Sequence, residues 1–253
     1  MLVVDDLHVS FGGVTALAGV SFVVRPPSIT SLIGPNGAGK TTAFNAITGY
    51  LRANRGRVTW DGAPLAGRPS DIARRGVVRT FQKTSVFPAL SVFENVRTGL
   101  HLRGRAGVWS VLAGARRVRA EEARLAETAR EILAFVGLDR RRDEIAGELP
   151  YGEQRLVELA VALAARPRLL LLDEPAAGMT GAEKERLIGM IRRIRAADVT
   201  VLLVEHDMKL VMGVSETVVV LNHGRVIAAG APASIQAHPD VIRAYLGSSS
   251  APA

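Results

Sequence analysis

One short stretch of this 253-residue chain constrains its fold more than any other. Residues 32–42 contain the pattern G-x-x-x-x-G-K-[ST], in which backbone N–H groups of a Gly-rich turn cradle phosphate oxygens. The apolar run Ile29–Ile33 before the pattern predicts a strand, and the residues from Thr41 onward predict a helix. The positive end of that helix faces the same anion. A strand–loop–helix unit of this kind predicts an α/β fold that binds a nucleotide.

The residues of this phosphate loop (34–41) have separate expected roles. Lys40 is expected to reach the outer phosphates, and the hydroxyl of Thr41 to hold Mg²⁺. Phe11, an aromatic just before a Gly pair, is a candidate for stacking on the adenine; the alternative is a core aromatic at a strand end. The expected nucleotide-binding set is Phe11, Gly34, Asn36, Gly37, Ala38, Gly39, Lys40, Thr41 and Thr42.

Two acidic residues follow a second apolar strand. Asp173 and Glu174 come after four leucines, at the strand end where open α/β sheets bind ligands. We expect Asp173 to hold Mg²⁺ through water, and Glu174, on the opposite face of the pleat, to polarise a water in line with the γ-phosphate. The alternative is that both acids only cap the loop at Pro175.

Two further polar residues end predicted strands. His206 follows the apolar run 201–204, and its imidazole is a candidate to bond the γ-phosphate; a structural histidine is the alternative. Gln82 ends a strand predicted over 77–82 and is a candidate to reach Mg²⁺ or the attacking water. The predicted catalytic set is therefore Glu174, His206 and Gln82, and the predicted metal set is Thr41, Gln82 and Asp173.

A second anion-binding helix start is predicted in the segment Leu-Pro-Tyr-Gly-Glu-Gln-Arg, residues 149–155, before a helix expected from Leu156. The phosphate loop already supplies one such site. A second one suggests that this surface caps the nucleotide of another copy or of a partner, so that the active unit is a dimer. The residues concerned are Pro150, Tyr151, Gly152 and Glu153.

Composition excludes several classes of function. The chain has no cysteine, which excludes disulfide frameworks and thiolate metal sites. Its net charge of +8 raises nucleic acid as a partner, but nearly all basic residues are arginines scattered over predicted helices, without an aromatic-interleaved stripe. We therefore expect no nucleic-acid partner. No run approaches the ~18–20 apolar residues that span a bilayer, so we expect a soluble chain.

Apolar strands that alternate with helices predict a mostly parallel sheet covered on both faces. Four short strands, expected over 2–4, 7–9, 20–24 and 28–33, precede the phosphate loop, and those near the N-terminus predict an antiparallel β subdomain. Residues 83–148 are rich in Arg, Ala and Glu and predict an inserted helical subdomain. We expect one domain over 1–253, with a nucleotide-binding core of 1–82 and 149–247 and a frayed tail of 248–253.

Together these motifs resemble those of the ATP-binding-cassette (ABC) ATPases, and the resemblance covers essentially the whole chain. The motifs occur in the family's order: the stacking aromatic, the phosphate loop, Gln82, the signature segment 150–153, the acidic pair and His206. The resemblance implies the ABC type of P-loop NTPase fold, ATP and Mg²⁺ as cofactors, and ATP hydrolysis. It also implies that two subunits sandwich two ATP molecules, each held by one subunit's phosphate loop and the other's signature segment.

Within the family, residues 149–154, 174–179 and 241–247 resemble the ATPases of bacterial branched-chain amino acid importers. This implies a peripheral subunit on the cytoplasmic face of the inner membrane, where dimer closure on ATP powers alternating access in two permease subunits. A second ABC ATPase is implied, with unlike chains favoured over like ones, and a periplasmic binding protein acts indirectly. Alternatives are a lipid or lipopolysaccharide exporter ATPase, and a soluble ABC ATPase acting on nucleic acid or ribosomes.

Three departures from the family pattern concern the neighbouring site. Pro150 and Tyr151 stand where the family has Ser and Gly, so one hydroxyl contact to the opposing γ-phosphate is missing. Glu153 replaces Gln, and Thr180 replaces an Asp that helps to couple the two sites. None of these residues belongs to the chain's own catalytic set, so hydrolysis is expected here.

Overall fold

The computed structural model describes residues 1–80, 86–101 and 115–246. These residues form two compact units. The first unit comprises 1–79, 168–177 and 181–246, and the second comprises the described residues of 80–167 together with 178–180.

A four-stranded antiparallel sheet forms one layer of the first unit. Its strands are β1 (Leu2–Phe11), β2 (Val14–Val24), β4 (Arg55–Trp60) and β5 (Ala63–Pro64), in the order β2-β1-β4-β5. The prediction of separate strands over 2–4 and 7–9 is wrong. A bulge absorbs the register shift between Val4 and Leu7, with Asp6 at φ 49°, so that β1 continues through it.

A six-stranded sheet forms the second layer. In spatial order it contains β10 (Arg225–Gly230), β9 (Thr217–Asn222), β3 (Ile29–Ile33), β8 (Thr200–Val204), β7 (Leu169–Asp173) and β6 (Val77–Arg79). The strands from β9 to β6 pair in parallel, and β10 pairs antiparallel with β9. Every residue of β3, β7 and β8 is buried, as the continuous apolar runs predict for strands covered on both faces.

Helices of the first unit complete its layers. They are α1 (Lys40–Ile47), α2 (Pro69–Arg74), α6 (Gly181–Ala196), α7 (Met208–Val214), α8 (Pro232–Gln236) and α9 (Pro239–Leu246). The larger apolar core joins the two sheets, with Phe44 and Ile47 of α1 among its buried members. A smaller cluster around Ile33, Val211 and Val218 includes Ile235 of α8 and residues of α9. Both faces of the parallel sheet are therefore covered.

The second unit is helical. It contains α3 (Val92–His101), α4 (Ala115–Val136), 3₁₀ turns at Asp139–Arg141 and Ala146–Glu148, and α5 (Tyr151–Ala164). The helix predicted from Leu156 thus begins five residues earlier, at Tyr151. Its N-cap is Pro150, which has non-helical backbone angles (φ −52°, ψ 146°) and no N–H that would need a partner. Among the helices of the described ranges, none is both long and apolar enough to cross a bilayer.

Candidate nucleotide site

The phosphate loop connects β3 to α1, and its backbone packs tightly against β9 and β2. A Cβ built on Gly34 would lie 2.1 Å from the carbonyl oxygen of Leu221, so this position admits only glycine. Gly39 has φ 105°, and a Cβ there would lie 2.7 Å from the carbonyl oxygen of Ala16. Gly39 is also the N-cap of α1 and has no side chain, so it leaves the first-turn N–H groups available to an anion.

Lys40 is held inside the loop rather than extended into solvent. Its Nζ donates to the carbonyl oxygens of Gly34 at 2.7 Å and Pro35 at 3.0 Å, and the residue is only 8 % exposed. Burial lowers the pKa of Lys40, while the negative charges of Glu174 and Asp173 oppose that shift. The carboxylates of the acidic pair therefore lie close enough to the phosphate loop to act on the Lys40 ammonium.

The two acids occupy different backbone environments. Asp173 is the last residue of β7 and is 3 % exposed; its Oδ2 accepts from Arg79 Nη2 at 2.7 Å. Glu174 lies beyond the strand with φ 48°, and its N–H donates to the carbonyl of Val204 at 2.9 Å. The expectation that strand pleating directs Glu174 is wrong, because the chain has already turned at this residue. A left-handed conformation at a non-glycine residue typically costs ~1–3 kcal/mol and clusters at functional sites.

His206 lies beside Glu174, because β8 and β7, the strands that precede these residues, are neighbours in the sheet. Its Nδ1 is 3.8 Å from Glu174 Oε1, which is longer than a hydrogen bond, and its side chain is 63 % exposed. The preceding residue, Glu205, is buried and accepts from the N–H of Ala176 at 2.8 Å and of His206 at 3.2 Å. Burial raises the pKa of Glu205, against the effect of these donors. Glu205 thus connects Ala176, in the loop after Glu174, to the backbone of His206.

The remaining residues expected at the nucleotide lie at the surface or are enclosed by the loop. Phe11 is the final residue of β1 and is 51 % exposed, so it is not a core aromatic. Asn36, Gly37 and Thr41 are exposed, Thr42 is half-buried and Ala38 is buried. Gln82 and the end of the strand predicted over 77–82 fall in residues 81–85, and the tail predicted over 248–253 falls after residue 246, so all of these lie outside the described residues.

The donor set fits Mg²⁺. Asp173 Oδ1 is buried and has no hydrogen-bond partner among the described residues, although its neighbour Oδ2 is ion-paired. An orphaned carboxylate oxygen of this kind is costly unless something binds it. Carboxylate, hydroxyl and water oxygens are the ligands that Mg²⁺ prefers, and Thr41 supplies the hydroxyl.

The segment 150–153 caps α5 in the second unit. Pro150 and Tyr151 are exposed, Gly152 is buried, and Glu153 Oε2 lies 2.8 Å from Arg141 Nε. The Tyr151 hydroxyl accepts from Arg155 Nε at 3.0 Å. A Cβ built on Gly178 would lie 3.1 Å from the Tyr151 ring, so the ring packs closely on Gly178.

Three functionally placed residues were not found by sequence reasoning. They are Arg79, which binds Asp173; Glu205, which binds Ala176 and His206; and Arg155, which binds Tyr151. The only signal for Arg79 and Glu205 was a charge directly after an apolar run, and Arg155 had no such signal. Such a charge requires a partner, but the sequence does not identify it.

Comparison with known proteins identifies the family. A family model described as ABC transporter matches residues 17–177, which is more than half of the chain. The chain belongs to the ABC transporter family. It is an ABC ATPase, the ATP-hydrolysing subunit of a transporter, and it binds nucleotide. The predicted resemblance, the α/β P-loop fold of ABC type and the ATPase activity are therefore confirmed.

Relatives of this ABC ATPase are similar along their whole length. The high-affinity branched-chain amino acid transport ATP-binding protein BraF of Pseudomonas aeruginosa is 43% identical over 98% of each chain. The corresponding protein LivG of Escherichia coli is 41% identical, again over 98% of each chain. An ATP-binding cassette of an ABC transporter solved in its ADP conformation has a TM-score of 0.85 at 30% identity, covering 98% of both chains. A second family model, described as branched-chain amino acid ATP-binding cassette transporter, matches residues 225–251.

Proposed function

We propose that this ABC ATPase hydrolyses ATP with Mg²⁺ to drive import of branched-chain or other hydrophobic amino acids. The observation that carries the proposal is the buried Lys40 ammonium in the field of Asp173 and Glu174, within a chain whose relatives are named for branched-chain amino acid transport. The exporter and the nucleic-acid or ribosome ATPase remain as alternatives, and neither has a comparable observation in its favour.

The phosphate loop residues bind and orient the nucleotide in this proposal. When ATP binds, the Lys40 ammonium exchanges its hydrogen bonds to the Gly34 and Pro35 carbonyls for bonds to phosphate oxygens. It thereby neutralises the outer phosphates from its buried position. Thr41, Asp173 and Gln82 would hold Mg²⁺, with Asp173 acting through water, and the ion would supply charge neutralisation at the phosphates. Phe11 stacks on the adenine from the end of β1.

Catalysis is assigned to the residues beyond the acidic strand. Glu174 polarises the attacking water, because its side chain is only 22 % exposed and follows directly after the end of β7. His206 bonds the γ-phosphate and is held close to Glu174 by the Glu205 link. Gln82 contributes to the orientation of the water or of Mg²⁺.

The signature segment 150–153 is proposed to act on the ATP of the opposite subunit. Its support is the exposure of Pro150 and Tyr151 at the first turn of α5, where helix N–H groups lack partners within the helix. The missing hydroxyl at Pro150 weakens this contact. The dimer is proposed to contain unlike ATPase chains rather than two copies of this chain.

The assembly follows from this assignment. We regard residues 1–253 as one ATPase domain with a core of 1–82 and 149–247, a helical insertion over 83–148 and a tail over 248–253. The chain is proposed to act at the cytoplasmic face of the inner membrane on two permease subunits. A periplasmic binding protein acts indirectly by delivering the amino acid, and no nucleic acid is required.

Copurification tests this proposal. The full chain is tagged and expressed in its own host, membranes are solubilised in a mild detergent, and associated proteins are identified by mass spectrometry. A tagged cytoplasmic enzyme of similar size is the control for non-specific capture. We expect two permease-like membrane proteins and a second, different ABC ATPase. Recovery from the soluble fraction alone, or with ribosomes or DNA, would contradict the transporter assignment while leaving the ATPase activity intact.

A further inference from the structure

Arg79 is a buried charge that no motif of the chain accounts for. It ends β6 after two valines, and its side chain is 6 % exposed. Burying a guanidinium is costly unless every part of it is compensated. The contacts of Arg79 therefore indicate what its charge is needed for.

The guanidinium joins three elements of the first unit. Arg79 Nη2 donates to Asp173 Oδ2 at 2.7 Å, which connects β6 to the end of β7. Nη1 donates to Asn45 Oδ1 at 2.7 Å and lies 3.4 Å from Thr48 Oγ1, both at or next to α1. The guanidinium carbon also lies 5.5 Å from the ring centroid of Phe44. One side chain thus ties the acidic strand to the helix that begins at the phosphate loop.

The contact with Asp173 is one-sided. Arg79 engages Oδ2, whereas Oδ1 is buried and has no hydrogen-bond partner among the described residues. A carboxylate held at one oxygen by a rigid donor presents the other oxygen in a fixed direction. That second oxygen is the atom left to accept from a water on Mg²⁺.

We propose that Arg79 is a positioning residue for the magnesium site, which holds Asp173 by Oδ2 so that Oδ1 faces the metal-bound water. The inference rests on the proposed role of Asp173 at Mg²⁺. Arg79 also fixes the direction of Asp173 relative to α1, since the same guanidinium binds Asn45.

Two physical effects of Arg79 on metal affinity have opposite signs. As a nearby positive charge it repels a divalent cation, so its removal would tighten metal binding. As a second-shell donor it orients the carboxylate, and loss of such partners typically weakens metal binding about 10–100-fold. If Arg79 positions Asp173, replacing Arg79 should therefore weaken metal binding. If Arg79 only balances charge, replacing it should not weaken metal binding.

The test measures Mn²⁺ as the probe for Mg²⁺. The full chain is mixed with a non-hydrolysable ATP analogue, and Mn²⁺ affinity is obtained by electron paramagnetic resonance. Arg79→Gln is compared with wild type, and Arg79→Lys retains the buried charge in case the first variant does not fold. Arg74→Gln, which alters an exposed arginine paired with Asp71 on α2, is the matched control. Affinity for the analogue in EDTA is measured in parallel.

We expect Arg79→Gln to weaken Mn²⁺ binding about 10–100-fold, with analogue affinity in EDTA and the Arg74→Gln control unchanged. Arg79→Lys should weaken Mn²⁺ binding several-fold, because a single ammonium cannot reproduce the fork that reaches both Asp173 and Asn45. Unchanged or tighter Mn²⁺ binding in either variant overturns the inference. Asp173→Asn separates the two proposals. If it too leaves Mn²⁺ affinity unchanged, the metal role of Asp173 itself is wrong.

Discussion

Arg155 and Glu158 form a buried ion pair in α5, and its loss should destabilise the helical unit. Arg155 Nη1 donates to Glu158 Oε2 at 2.9 Å, and the two side chains are 5 % and 7 % exposed. Removing one partner of such a pair typically costs ~3–5 kcal/mol, because the remaining charge stays buried without its counterion. For a chain of this size each kcal/mol lowers the melting temperature by ~2–4 °C. Arg155→Met should therefore lower it by roughly 6–20 °C.

A double-mutant cycle isolates the pair. Thermal unfolding followed by circular dichroism is measured for Arg155→Met, Glu158→Leu and the double variant. We expect the double variant to recover most of the loss, since apolar residues of similar volume replace both charges. Arg130→Met, which breaks an exposed pair with Glu127, is the control and should change stability by less than ~1 kcal/mol. Additive losses in the double variant would refute the coupling.

Three further predictions concern the nucleotide site. Lys40→Ala should abolish tight ATP binding, because it removes the buried ammonium that is proposed to neutralise the outer phosphates; unchanged affinity for a fluorescent ATP analogue would remove Lys40 from this role. Glu174→Gln should bind ATP normally and lose about 10²–10⁴-fold in turnover, measured by phosphate release; normal turnover would exclude Glu174 as the base. Burial raises the pKa of Glu205 above its ordinary value of 4.5, so its favourable contribution to stability is complete at lower pH and is lost as pH rises through the raised pKa. Urea unfolding from pH 4 to 7 should show this decline in wild type and not in Glu205→Gln, and equal slopes would refute it.

The parts of the site that the sequence predicted are those whose chemistry demands a residue type at a fixed spacing. Phosphate binding requires glycines where the backbone approaches Leu221 and Ala16, and it requires Lys40 at the start of a helix. The capping box before α3 is also a residue pattern at a fixed spacing. Ser91 Oγ accepts from the N–H of Glu94 at 3.1 Å, and Glu94 Oε2 accepts from the N–H of Ser91 at 2.8 Å. Both patterns are local, so a linear sequence contains them completely.

The incorrect predictions share a different cause. The continuity of β1 depends on a bulge at Asp6, which is tolerated because β2 and β4 pair with the strand on either side. The direction of Glu174 depends on a left-handed φ that its backbone bond to Val204 of the neighbouring strand supports. Both outcomes are decided by pairing between distant segments. Propensity and periodicity describe only the segment itself, and tertiary contacts override them.

The contacts that direct the motif residues are also non-local, and this explains why they carry no recognisable pattern. Arg79 and Asp173 are separated by 94 positions, and Glu205 and Ala176 by 29. A buried charge has to be compensated, but any segment that the fold brings near can supply the partner, so its spacing is free to vary. The identity and spacing of the motif residues are set by what the nucleotide requires, whereas the residues that hold them in place are set by the fold. The position of Asp173 should therefore depend on Arg79, and that of His206 on Glu205. Neither Arg79 nor Glu205 is one of the residues that define a motif.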